Sequence, residues 1–298
     1  AKYFQDAQLI ADSREYVTYT GYLNGETVNM TDLLYGMMLA SGNDAANVTA
    51  SLVSGSIEEF SSLMNKKARE LGMLNSSFKN PSGLPQEGHY SCAYDMAILG
   101  CYAIRNNVFR SICSSEKDVI TISDSRQVNL YNHNKLLKKY DGALGIKTGF
   151  TKKDGRCLVS SAERNGVKLI CVTLNAPNDW DDHTKMLDMG FSLYRGEKIL
   201  LENKEADVDR GEETKITVIP EREVVLPIKE GDNVSIKYNV LSNVTAPVLK
   251  DEMKGNAEIY INNTLVDTVN YVAGKSVNEI KSKTFKEILS GLFSALFI

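Results

Sequence analysis

Two short runs carry the side chains that could do chemistry together: Ser41-Gly42-Asn43 and, about a hundred residues later, Lys147-Thr148-Gly149. The first lies between two helical patterns, where a loop can present a hydroxyl and a carboxamide. The second lies on a strand. Adjacent strand residues point to opposite faces, so a straight strand cannot aim both the Lys147 ammonium and the Thr148 hydroxyl at one ligand. A glycine directly after them permits a twist and a close backbone approach, which suits a strand that takes an extended peptide along its edge. Either triplet alone is commonplace. Their order and surroundings give them weight.

The surroundings are legible. Thr31 and the apolar spacing through Leu33, Leu34, Met37 and Met38 predict a capped helix that stops near Ser41-Gly42. A second helix starts at Asn43-Asp44 and carries Ala45, Ala46, Val48 and Leu52 inward. A third, residues 57–71, stops at Gly72, and Asn80-Pro81-Ser82-Gly83-Leu84-Pro85 is a loop. Residues 143–151, 156–163 and 168–175 read as three strands joined by Lys152-Lys153-Asp154-Gly155 and Arg164-Asn165-Gly166, an antiparallel meander. A helix over 181–194 follows.

After Gly196 the pattern changes to short Val/Ile/Thr/Tyr runs between Gly, Pro, Asn and Asp, predicting an all-β domain over 205–274 with its boundary near Lys204. In the tail, 275–298, Ser276 and Glu279 form a capping-box pattern before a run with Ile288, Leu292, Phe293, Leu296 and Phe297. That apolar run is shorter than the roughly 20 residues that cross a bilayer. It predicts an amphipathic helix at a membrane surface, or one packed on its own domain.

With 298 residues, 43% hydrophobic and 24% charged, and a net charge of -4, the chain is an ordinary globular protein of two or more cores, without the basic excess of a nucleic-acid binder. Cys92, Cys101, Cys113, Cys157 and Cys171 show neither Cys-x-x-Cys spacing nor histidines at ligand intervals, so a zinc site or disulfide framework is not expected. Residues 1–22 have neither the basic start nor the apolar run of a signal peptide: the protein is intracellular or its start has been removed.

Ser-x-Asn followed by Lys-Thr-Gly is the order of two of the three signatures of penicillin-recognising serine enzymes. The chain resembles the low-molecular-mass penicillin-binding proteins of the D-alanyl-D-alanine carboxypeptidase family over nearly its whole length. The resemblance rests on Asn24-Gly25-Glu26-Thr27-Val28, Asp32-Leu33-Leu34-Tyr35 and Ser41-Gly42-Asn43-Asp44-Ala45-Ala46. It continues through Met64-Asn65-Lys66-Lys67-Ala68, Leu71-Gly72-Met73, Asn80-Pro81-Ser82-Gly83-Leu84, Asn132-His133-Asn134-Lys135-Leu136-Leu137 and Gly145-Ile146-Lys147-Thr148-Gly149-Phe150-Thr151. The β-rich region with Ala246-Pro247-Val248 and the tail are similar to that family's second domain and surface anchor.

The resemblance implies an α+β, β-lactamase/transpeptidase-like catalytic domain over 1–204, with a five-stranded antiparallel sheet. It implies acyl transfer at the D-Ala-D-Ala end of a peptidoglycan stem peptide, without cofactor or metal, in the cell envelope, and β-lactams as ligands. Ser41 would relay a proton to the departing D-alanine, Asn43 would hold the substrate amide, and Thr148 would bind the terminal carboxylate in the potential of Lys147. Backbone N–H groups after Gly149 would serve the oxyanion. The family's nucleophile belongs to a Ser-x-x-Lys some tens of residues before Ser41, yet Ser13 is followed at the third place by Tyr16. Ser76 with Lys79 and Ser114 with Lys117 have the spacing but follow Ser41 in polar surroundings. The expectation is a chain that has lost its nucleophile segment and is inactive as it stands.

His183 falls where relatives carry a carboxylate-binding arginine, and is expected on the surface of its helix; Trp180 is expected to pack. Two alternatives stand beside the enzyme: a non-catalytic wall-binding protein that kept the groove, and a class A β-lactamase, whose Glu-x-x-Leu-Asn motif the run from Glu70 to Leu74-Asn75 misses by one residue.

Overall fold

Asn29 begins the first described helix: its Oδ1 accepts the Asp32 N–H at 2.9 Å, so the cap lies two residues before the Thr31 read from the pattern. The computed structural model describes residues 25–123 and 125–280. The helical layer holds α1 (Met30–Leu39), α2 (Asn43–Ser54), α3 (Ile57–Glu70), α4 (Ala93–Ala103) and α5 (Asn107–Ser114). Ser56 caps α3 through the Glu59 N–H, and Gly72 at φ 81° ends it as the sequence suggested. A hairpin of β1 (Lys117–Ile122) and β2 (Arg126–Tyr131) buries Ile120, Ile122 and Leu130 against Leu33, Leu39 and Ala45 of α1 and α2. The short α6 (Leu136–Lys139) leads into the sheet.

The meander is present as β3 (Ala143–Thr151), β4 (Gly155–Arg164) and β5 (Val167–Thr173), antiparallel in that order, followed by α7 (Asp179–Leu193). Asn165 and Gly166, at φ 50° and 79°, make the two-residue turn that Asn-Gly favours. Each sheet face is covered. Cys113, Ile146, Val159 and Ile170 pack on the side of α4 and α5, and Leu158, Ala162, Cys171 and Leu187 pack under α7. Burying side chains such as Leu158 and Leu187 contributes about 2 kcal/mol each. The close approach of α5 to β3 depends on Gly145, where an added Cβ would lie 2.8 Å from Cys113 Sγ. Among the described residues this sheet has three strands.

The chain divides into two units between Arg195 and Gly196, earlier than the composition change near Lys204. The reason is a strand at the seam. β6 (Arg195–Ile199) pairs with β9 (Val224–Ile228), and Ile199 is buried beside Val224, Leu226 and Ile228. The described residues of the second unit are all-β. β7 (Lys204–Asp209), β8 (Lys215–Pro220), β10 (Val234–Val240), β11 (Asn243–Thr245), β12 (Met253–Ile261) and β13 (Thr264–Ala273) form one sheet ordered β10-β12-β13-β8-β7-β11.

The capping-box reading of Ser276 and Glu279 is not what forms. Val277 bridges Val248 with both backbone bonds at 2.9 Å and buries its side chain, and Glu279 bridges Gly211. Ser276 Oγ instead accepts the Lys250 N–H. Extended backbone with partners and a core contact outweighs a local helix start. The predicted tail helix beyond Ile280, and the first 24 residues, lie outside the described residues. Among those described, no helix is long and apolar enough to cross a membrane.

Candidate active site

The turn between α1 and α2 reverses the chain in three residues. Ser41 takes the left-handed conformation at φ 56°, and the Gly42 N–H donates back to the Gly36 carbonyl at 3.1 Å. A non-glycine residue there costs on the order of 1 kcal/mol. The cost is borne because Leu39 and Ala45, on either side, are fully buried and fix both helices. The result is a hydroxyl lifted out of the turn. Asn43, two residues on and the first residue of α2, is buried at 7% exposure.

Lys147 reaches this hydroxyl from β3. Its Nζ donates to Ser41 Oγ and, at 2.9 Å, to the Thr148 carbonyl. Because the ammonium donates, the Ser41 O–H keeps its own proton available for donation. Loss of hydration around the partly buried Lys147 pushes its pKa down to about 8. It is therefore a cation at neutral pH that surrenders a proton readily. Ser41 and Lys147, 106 positions apart, are thus brought into direct contact.

Thr148 and Gly149 follow on β3, opposite Leu158 and Cys157 of β4. The glycine is not demanded by crowding. A Cβ there would sit 3.7 Å from Cys157 Cβ, an ordinary contact, so Gly149 serves to leave the outer surface of the strand bare.

Sequence reasoning noticed His133 only as part of a matched run. Loss of hydration, and then the charge of Lys147, hold its pKa below the ordinary value. Its loop is pinned by Asn132 Nδ2, which donates to the carbonyls of Cys113 and Ser115 at 3.1 and 3.0 Å.

His183 is not on the surface. It is fully buried, with Nδ1 2.6 Å from Ser160 Oγ and Nε2 2.9 Å from Thr173 Oγ1, tying α7 to β4 and β5. Burial pushes its pKa down to about 4 against the opposing pull of Asp179 and Asp182. Asp179, His183 and Leu187, four apart, form the buried stripe of α7, a spacing that was there to be read. Trp180 packs against the core under α7. The two later Ser-x-x-Lys serines are occupied. Ser76 Oγ donates to Asp95 at 2.7 Å and Ser114 Oγ to the Ser111 carbonyl at 3.2 Å.

The family model described as D-alanyl-D-alanine carboxypeptidase matches residues 7–178. The chain belongs to the D-alanyl-D-alanine carboxypeptidase family. The model for the C-terminal domain of penicillin-binding protein 5 matches residues 191–279, so the family's second domain is present as well. The D-alanyl-D-alanine carboxypeptidase DacF of Bacillus subtilis is 35% identical over 240 residues, covering 78% of this chain and 62% of that protein. Penicillin-binding protein 5 of Haemophilus influenzae superposes with a TM-score of 0.57 at 29% identity, covering 83% of this chain and 74% of that one. A peptidoglycan synthesis regulatory factor from Streptococcus pneumoniae shares the fold, with a TM-score of 0.68 at 21% identity over 84% of this chain and 78% of that one. The chain spans less than two thirds of the length of the curated carboxypeptidases it matches. The resemblance read from the motifs holds at the level of the family, and the α+β unit followed by a β domain is its architecture.

Proposed function

We propose that the site formed by the α1–α2 turn and the edge of β3 receives the D-alanyl-D-alanine end of a peptidoglycan stem peptide, and that its residues serve the serine acyl transfer that removes the terminal D-alanine. The observation that carries this reading is the hydrogen bond from Lys147 to Ser41, which unites the two signature runs in one site.

The chemistry follows from the atoms. When a serine Oγ attacks the penultimate carbonyl carbon, its proton passes to the lysine of the same Ser-x-x-Lys, the peptide C–N bond breaks and the D-alanine nitrogen needs a proton. Ser41 gives its hydroxyl proton and is refilled from Lys147, whose pKa near 8 suits a donor that must also recover. Asn43 holds the substrate amide. The Thr148 hydroxyl holds the terminal carboxylate, with the Lys147 charge adding attraction. Backbone N–H groups of the strand after Gly149 serve the oxyanion. Water then releases the shortened peptide. Side chains and backbone suffice for these steps, without metal or cofactor.

The nucleophile of this scheme is a Ser-x-x-Lys, and the serines of the two such spacings after Ser41 are engaged elsewhere. These 298 residues by themselves therefore bind stem peptide and β-lactam reversibly and form no acyl-enzyme. The site of action is the cell envelope.

Titration calorimetry with a pentapeptide ending in D-Ala-D-Ala tests the reading. Binding should weaken at least about tenfold in Lys147→Ala, the value of one charge-assisted hydrogen bond. Labelled penicillin should leave no covalent adduct. Equal binding by Lys147→Ala, or a stable adduct on any serine of this chain, overturns it.

A further inference from the structure

Lys147 and Thr148 are neighbours on one strand, so their side chains leave its backbone on opposite sides. Lys147 turns to Ser41. Thr148 stands opposite Leu158, and Phe150 stands opposite Arg156. Thr148 and Arg156 are therefore diagonal neighbours on one face of the β3–β4 ladder, a separation of roughly 7–8 Å that a long side chain spans. The cation on the threonine's own face is a guanidinium from β4.

That guanidinium is held in place. Its Nε and Nη2 donate to Asp179 Oδ1 at 3.2 and 2.8 Å, and Nη2 donates to Oδ2 at 2.9 Å. Asp179, the first residue of α7, is buried at 2% exposure, and the guanidinium lies 5.4 Å over the Trp180 ring. Three of the five N–H donors of an arginine sit on Nε and Nη2. The other two, on Nη1, make no hydrogen bond among the described residues, and the side chain is 41% exposed. Such a fork, anchored on one edge and open on the other, is fitted to a planar carboxylate. Asp179 cancels one of the two positive charges that Lys147 and Arg156 carry. His183, on α7, is turned into the core and offers nothing to a ligand.

We propose that Arg156 is a specificity-determining residue, which binds the α-carboxylate of the substrate's last residue through Nη1 while the Thr148 hydroxyl holds the same group. This rests on the site of Ser41 and Lys147 being the D-Ala-D-Ala site.

The test compares the pentapeptide with its C-terminal amide by titration calorimetry on the whole chain. Wild type binds the acid about tenfold or more tightly than the amide. Arg156→Gln loses that preference while its affinity for the amide stays within about twofold, which a merely structural role for the ion pair does not produce. Arg156→Gln leaves Asp179 buried without its partner, so the double variant Arg156→Gln/Asp179→Asn is measured alongside, with Trp180 fluorescence reporting folding. It must show the same loss. A variant that still prefers the acid overturns the assignment to Arg156 and leaves the reading of the site intact. A wild type that binds neither peptide overturns the reading of the site, and the assignment with it.

Discussion

Acidification should destabilise the first unit by protonating one buried histidine. His183 sits fully inside the protein between the hydroxyls of Ser160 and Thr173. Its pKa there is about 4, against an ordinary value of 6.5, because burial penalises the imidazolium. The folded-state value is the lower one, so between pH 6.5 and 4 the unfolded chain binds the proton and the folded chain does not. Stability therefore falls as pH falls through that window. The gap between those two values amounts to about 3 kcal/mol at pH 4, a large share of a domain's stability. Urea denaturation followed by fluorescence reads this unit, since Trp180 is the only tryptophan and stands three residues from His183 on α7. His183→Gln, which keeps one donor and one acceptor, should start lower at pH 7 but lose about 3 kcal/mol less than wild type on going to pH 4. Parallel stability curves for the two proteins would refute the burial argument.

Peptide affinity should fall as pH rises through about 8, because Lys147 then loses the proton that attracts the carboxylate; calorimetric titrations at pH 7 and 9.5 measure it, and an unchanged affinity contradicts the role given to the ammonium. Gly145→Ala should destabilise the first unit by more than about 2 kcal/mol in the same urea experiment, since the added Cβ meets Cys113 Sγ at 2.8 Å and φ is 131°.

How much was legible depended on where the determining contacts lie. The meander was readable because each strand alternates between two packed faces and Asn165-Gly166 can turn in two residues. The first three helices announced themselves through capping residues and Gly72. α4 did not: Ala93–Ala103 is apolar almost all round, so no face stands out. The β1–β2 hairpin lacked a glycine turn, and its inward residues Ile120 and Ile122 acquire meaning only when α1 lies over them.

The same holds at the site. Ser41, Asn43 and Lys147 stood out because they belong to the two signature runs, and the bond from Lys147 to Ser41 joins those runs. The left-handed turn that lifts Ser41 was not, since nothing in Ser-Gly-Asn says which residue takes the positive φ. The Arg156–Asp179 pair joins a strand to a helix 23 positions on, a pairing set by register and packing rather than by local pattern. The boundary slipped for a similar reason. Ile199 belongs to the second core although its surroundings in sequence look like a linker.

The claim on which the account turns is that the signature runs form one peptide-binding site. Backbone amide NMR of the chain, titrated with a pentapeptide ending in D-Ala-D-Ala, tests it directly. The signals of Ser41, Asn43 and residues 147–150 should shift together along one binding curve, with Thr148 and Arg156 among the largest. Shifts confined to the second unit, or to one of the two runs alone, would contradict it.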